Sequence, residues 1–152
     1  RIIEQLRQMY DYVVIDIDKR LDENNLDVIA ASDIVFVVMT ADLSCLKNVH
    51  LVLETMTQLN VDKAQVQLVL NRSNAFTGIN VKNAEGALKR KIDYQIVNEY
   101  RGAISALNSG APFMFTKADS LLGRSVLEFA RSVDRGAAGA PAGTPQLAPV
   151  TG

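Results

Sequence analysis

Cysteine is nearly absent from this chain, and the single thiol, Cys45, excludes an internal disulfide framework and a cysteine zinc cluster. Such a chain is expected in a reducing, cytoplasmic compartment. Histidine is equally scarce. The lone His50 cannot build a histidine metal site, and its apolar neighbours Val49 and Leu51 suggest a helical position, at the surface or with a local partner. No apolar run reaches the length of a membrane span, and no signal peptide is visible. Excess charge is missing as well: a net charge of -1 offers no basic field for nonspecific nucleic-acid binding. A further absence concerns phosphate chemistry. The loop G-x-x-x-x-G-K-[ST], whose amides cradle phosphates and whose lysine neutralises them, does not occur. Gly102 and Gly110 fall in or after a helical pattern with no lysine following. Hydrolysis of a nucleoside triphosphate by this chain alone is therefore not expected.

What is present suffices for one domain with a real core. The chain has 152 residues, 48% of them hydrophobic and 22% charged, a soluble globular composition. It starts at Arg1 inside a helical pattern without a methionine, and we expect a piece of a longer protein. Ile2, Ile3, Leu6 and Met9 recur at helical spacing. Val13–Ile15 then read as a strand buried on both faces, ending in the carboxylates Asp16 and Asp18. Residues 16–23 form a polar loop, Leu26, Ile29 and Ala30 a short helix, and Ser32-Asp33 a break.

The run I-V-F-V-V-M over 34–39 predicts a second buried strand. Ser44 is expected to cap the helix after it, with Leu46, Val49, Leu53, Met56 and Leu59 on one face and Asn60 as terminator. Val66–Leu70 predicts a third strand, ending in Asn71-Arg72, and 81–89 a helix with Ala84 and Leu88 inward. A short fourth strand is expected over 93–97 and a helix over 100–107, stopped by Asn108-Ser109-Gly110. Pro112 opens a short apolar piece. Asp119 or Ser120 caps a last helix whose Leu121, Leu122, Val126, Phe129 and Val133 face inward. From Gly136 the composition turns Ala/Gly/Pro-rich without periodicity. A folded part over 1–134 and a disordered tail over 135–152 are expected.

Strands alternating with helices predict an α/β fold: a parallel sheet with helices on both faces and right-handed crossovers. Strand C-termini then converge on one edge, where such sheets bind ligands. That edge would collect Asp16, Thr40-Ala41-Asp42 and Asn71-Arg72. A carboxylate ending an apolar strand suits Mg²⁺ and orients groups near a γ-phosphate. The same residue also serves simply to end a strand. An amide such as Asn71 both donates and accepts, which suits the edge of an adenine ring, and it also suits a plain turn.

The ordered stretches Y-D-Y-V-V-I-D-I-D-K-R-L-D-E, A-S-D-I-V-F-V-V-M-T-A-D-L-S-C-L-K-N, V-Q-L-V-L-N-R and I-V-N-E-Y-R-G-A-I-S-A-L-N-S-G-A-P cover most of residues 8–134. Together they resemble the C-terminal part of a MinD/ParA-type ATPase domain, most of all the TadZ/CpaE-like branch tied to Flp/Tad pilus assembly. The resemblance implies a partial P-loop NTPase-like fold whose phosphate loop lies upstream. It implies that Asp16 is the acid of the Walker B-like strand, catalytic and Mg²⁺-binding, and that Asn71, Arg72 and Pro112 border the base of ATP. Asn98–Tyr100 would match the I-P-x-D-Y turn, with Val97 and Glu99 replacing proline and aspartate. Ala41 replaces a usual proline. Asp18 replaces another, placing a second carboxylate near phosphates unless Mg²⁺ or Lys19 compensates.

For the parent, the resemblance implies a nucleotide-regulated ATPase or a pseudo-ATPase scaffold. It would position or assemble a pilus or secretion system, with ATP and Mg²⁺ as cofactors. This chain alone is expected to bind neither tightly. A homodimer and assembly proteins are the expected partners, without nucleic acid or membrane insertion. The expected place is the cytoplasm, at the cell pole or at the membrane through partners. Lys82, Lys89, Arg90 and Lys91 form a basic cluster that we read as a solvated face. The competing reading is a response-regulator receiver domain with Asp16 as phosphoacceptor and Thr40 as its sensor. It lacks an acidic pair before Asp11, and the strand after Thr40 ends in Asn71-Arg72 where a receiver carries lysine.

Overall fold

The computed structural model describes residues 2–138, with side chains as far as Asp134. Most of the expected tail, from 139 onward, lies outside the described residues. The described chain divides into two compact units, residues 2–33 together with Ala138, and Ile34–Ala137.

The first unit holds two helices, α1 (Ile2–Met9) and α2 (Glu23–Ala31). Asp22 caps α2 by accepting from the Asn25 amide at 3.0 Å, and Arg7 pairs with Asp33. Between the helices the structure departs from expectation. Residues 12–18 join no ladder among the described residues, and Val14 is 93% exposed. A strand needs a neighbour that satisfies its row of N–H and C=O groups and covers its side chains. Val13–Ile15 supply the apolar character but have no such neighbour here.

The second unit carries β1 (Val35–Met39), α3 (Leu43–Gln58), β2 (Val66–Asn71), α4 (Val81–Leu88), β3 (Tyr94–Ile96), α5 (Tyr100–Ser109), α6 (Phe113–Thr116) and α7 (Leu121–Ala138). The three strands pair in parallel in the order β1-β2-β3, with Val69 opposite both Val38 and Tyr94. This is the expected α/β arrangement. One sheet face, with Met39, Leu68 and Leu70, packs on Leu46 and Val49 of α3 and Ala84 and Leu88 of α4. On the other, Phe36, Tyr94 and Phe129 of α7 meet edge to face, with centroids 4.8–6.1 Å apart. That face is less covered: Val38 of β1 is 63% exposed, so β1 is not the fully buried strand that its composition predicts.

Several local expectations shift. Asp42, not Ser44, caps α3: its carboxylate accepts from the Cys45 amide at 2.9 Å and from the Thr40 hydroxyl at 2.6 Å. Ser44 already lies inside the helix. Those bonds, the Thr40 hydroxyl first, hold the Asp42 carboxyl below the usual carboxylate range. Leu59 and Leu121 sit at the ends of α3 and α7 and are exposed, whereas inward positions are expected from periodicity. Helix ends outrun the surface that they pack on. Ser120 caps α7, accepting from the Gly123 amide at 3.1 Å. A Cβ on Gly123 would collide with the carbonyls of Lys117 and Ala118, so the first turn of α7 admits only glycine there. α7 runs on to Ala138, beyond the expected boundary at 134.

Leu68→Ala removes a fully buried side chain from the central strand and is expected to destabilise the fold by about 2–5 kcal/mol in urea unfolding. Val14→Ser, at an exposed site, should change it by less than about 0.5 kcal/mol. Because the folded-state pKa of Asp42 is depressed, the stability that its charge supplies is present above the unfolded pKa of about 3.9 and lost as pH falls through the folded value. Asp42→Asn retains an acceptor but not the charge. The stability gap between wild type and Asp42→Asn should be constant near neutrality and shrink with acidification below about pH 4.

Candidate functional site: a cleft at the strand ends

Three parallel strands release the chain at one sheet edge, into a turn at 40–42, a loop from Asn71 and a strap at 97–100. The Thr77 hydroxyl donates to the Ala41 carbonyl, tying the loop after β2 to the turn after β1. The Ser73 amide donates to the Ile96 carbonyl at 2.9 Å and the Asn98 amide to Asn74 Oδ1 at 2.6 Å, tying the same loop to the end of β3.

Between the end of β2 and the start of α5 lies a cleft of about 260 Å³. Asn71, Arg72, Asn98, Glu99, Tyr100 and Ile104 line it, with Val97, Ala103 and Leu122. Two of the three residues expected at a base therefore share this cleft with the strap that matches the I-P-x-D-Y turn. The third, Pro112, stands at the N-terminus of α6 and is not among the lining residues. Asn71 Oδ1 accepts from the Arg72 amide at 2.9 Å, and its Nδ2 has no partner among the described residues. Arg72 holds a left-handed backbone, φ 54°, which costs a side-chain-bearing residue about 1 kcal/mol or more. The arrangement offers an amide donor and an arginine among the residues lining a mostly apolar slot. That chemistry suits a flat heterocycle with acceptor atoms on its edge.

Leu122 and Ile104 are the walls that motif reading did not assign to the site. The i, i+3, i+4 spacing of Tyr100, Ala103 and Ile104 on α5 was the available signal. Nothing local tells that α7 returns to this edge.

Asp16 belongs to the first unit. It is exposed and has no hydrogen bond or ion pair among the described residues. Asp18 is engaged: it accepts from the Arg20 amide at 2.9 Å, from Arg20 Nε at 2.7 Å and from Asn25 Nδ2 at 2.9 Å. Those bonds, the Arg20 amide first, draw its carboxyl below the usual range. The cation that engages Asp18 is thus Arg20, where Mg²⁺ or Lys19 is expected. With Asp22 used as a cap, Asp16 and Glu23 are the carboxylates of residues 16–23 without a bond among the described residues. Among the described residues no three His, Cys, Asp or Glu side chains group as a metal site. A Mg²⁺ held by one carboxylate and substrate phosphates needs no such group.

The basic cluster proves structural in part. Arg90 donates to the carbonyls of Val66 and, at 2.9 Å, of Lys63, fastening α4 to the start of β2. Lys91 pairs with Glu85 at 2.8 Å, and that bond leads the lowering of the Glu85 pKa. His50 pairs with Glu54 on the exposed side of α3. No described helix is long and apolar enough to cross a membrane.

No family model and no curated protein sequence matches the chain. Solved structures do. A ParA family ATPase from Chlorobium tepidum superposes with a TM-score of 0.80 at 21% identity, over 85% of this chain and 54% of its own. The MinD cell division protein of Aquifex aeolicus gives 0.74 at 16% identity, over 97% of this chain and 61% of its own. The septum site-determining protein MinD of Pyrococcus horikoshii, solved with Mg-ADP, gives 0.74 at 19%, over 91% and 56%. This chain therefore spans between 54% and 61% of the length of these neighbours. Its fold is that of the ParA and MinD ATPases, a P-loop NTPase-like parallel sheet flanked by helices.

Proposed function

We propose that this chain is the C-terminal portion of a MinD/ParA-like ATPase or pseudo-ATPase domain, and that the cleft at the end of β2 receives the base of a bound nucleotide. The observation that carries the reading is the meeting of Asn71 and Arg72 with the strap 97–100 in one slot. They do so at the ligand-binding edge of a sheet shared with nucleotide-dependent ATPases. On this reading residues 1–134 are the partial domain, α7 carries it on to Ala138, and the tail is the part beyond. Pro112 borders the base from α6. Residues 13–17, which join no ladder among the described residues, would become a strand on pairing with the upstream part of the domain, and Mg²⁺ would accompany the nucleotide. The ion would screen the γ-phosphate charge. Asp16 would hold it, Asn71 would donate to the ring, and Arg72 would wall the mouth.

The phosphate cradle is the part that these residues do not provide. On the resemblance, the ligand is ATP with Mg²⁺ in the parent, and no turnover is expected of this chain alone. The parent's role, on the resemblance to the TadZ/CpaE-like branch, is positioning or assembly of a Flp/Tad-type pilus or secretion system. It would act in the cytoplasm, at the cell pole or at the membrane through partners. Homodimerisation and contacts with assembly proteins suit that role. A MinD neighbour was solved as a MinC:MinD complex. With a net charge of -1, nucleic acid is not an expected partner.

Calorimetry with ATP and Mg²⁺ on the protein carrying its natural upstream sequence tests the reading. Binding is expected, and Asn71→Ala should weaken it about tenfold, the cost of one hydrogen bond to the ring. An intact phosphate loop upstream with no binding contradicts the proposal. For the chain by itself no turnover is expected, and turnover abolished by Asp16→Ala would show that the missing loop is dispensable.

A further inference from the structure

Glu99 is the N-cap residue of α5, yet its side chain makes no capping bond to that helix. It reaches elsewhere. Its Oε2 accepts from the Leu122 amide in the first turn of α7 at 3.2 Å. The route runs across Gly102, a buried residue on which a Cβ would lie 3.0 Å from Glu99 Oε1 and 3.4 Å from the Phe113 ring. A glycine in the interior of α5 weakens the helix relative to alanine, so its position needs a packing reason. The close passage of the Glu99 carboxylate supplies one.

A second tie runs parallel. The Val97 amide donates to Ser125 Oγ at 3.4 Å, and that hydroxyl donates to the Leu122 carbonyl at 2.9 Å. The strap 97–100 is thus fastened to α7 on one side and, through Asn98 and Asn74, to the loop after β2 on the other. Glu99 and Leu122 line the same cleft as Asn71 and Arg72.

We propose that Glu99 is the positioning residue of this cleft: its carboxylate holds the strap and the start of α5 against the first turn of α7 and so sets the separation of Asn98–Tyr100 from Asn71–Arg72. Gly102 is the clearance that lets it do so. The meaning of the cleft as a base site rests on the reading above, but the positioning role does not need a nucleotide to be tested.

The test is NMR on this chain with Glu99→Ala, Glu99→Gln and Gly102→Ala. Glutamine keeps an acceptor for the Leu122 amide and alanine does not. In Glu99→Ala the Leu122 amide should exchange about tenfold faster, with the amides of Leu68 and Leu70 unchanged. The side-chain resonances of Asn71 Nδ2 and Arg72 Nε should shift with it. Glu99→Gln should restore both. Gly102→Ala displaces the carboxylate and should reproduce the Glu99→Ala shifts, and it keeps the test open if Glu99→Ala does not fold. Added to Glu99→Ala, Gly102→Ala should change the shifts no further. Faster Leu122 exchange with unmoved Asn71 and Arg72 resonances would make Glu99 a cap for α7 only and overturn the proposal. Equal shifts in the alanine and glutamine variants would overturn it too. Failure of nucleotide binding in the parent would leave these shifts untouched, so the two ideas fail separately.

Discussion

Leu68 and Leu70, wholly excluded from solvent in a strand paired on both edges, are the constraint from which the rest of the second unit follows. A parallel strand must be covered on both faces, because its crossovers are helices that pack there. The helices α3 and α4 cover one face, and α7 with its aromatic contact covers part of the other. The register of β3 against this strand is also fixed where β3 begins. Asp93 exchanges bonds with Leu68, the amide of Leu68 donating to its carboxylate at 2.7 Å and its own amide to the Leu68 carbonyl at 3.0 Å. Because all three strands run the same way, their exits share an edge. The cleft is a consequence of that polarity, not of any local motif.

The polar groups at that edge divide by task. Thr40, Asp42 and Thr77 bond to one another or to backbone, and they secure the turns. Asn74 and Ser73 join the loop after β2 to the end of β3. Asn71 and Arg72 are left facing the slot with donors to spare, and Arg72 keeps a strained backbone to be there. The same left-handed backbone recurs at Asn60 and Lys89, just past the ends of α3 and α4. In the first unit, Asp18 and Asp22 are committed to Arg20, Asn25 and the cap of α2, while Asp16 is not committed.

The apolar runs at 34–39 and 66–70 made the sheet legible, since short β-branched stretches between helical periods leave few other folds. Asn71-Arg72 could be placed at the edge where the strands end by the same logic. The stretch 12–18 shows where such reading stops. Its composition is that of a buried strand, but a strand exists only with its neighbour, and composition carries no information about the neighbour. Caps were misplaced by two residues at α3 because Asp and Ser are equally good caps and only backbone geometry chooses. The walls of the cleft contributed by Ile104 and Leu122 were hidden for another reason. They depend on how α5 and α7 return to the sheet, which is tertiary packing. Glu99 read as a departure from a motif, and only the distance to the Leu122 amide gave it a role.

The central claim is that the slot between Asn71-Arg72 and the strap 97–100 is where a nucleotide base rests. Photolabelling with an azido-adenine analogue of ATP, followed by mapping of the modified peptide, addresses it directly on the protein with its natural upstream sequence. The account predicts label within residues 71–74 or 97–104, competed by unlabelled ATP. Competed label on other segments, with these two unmodified, would contradict it.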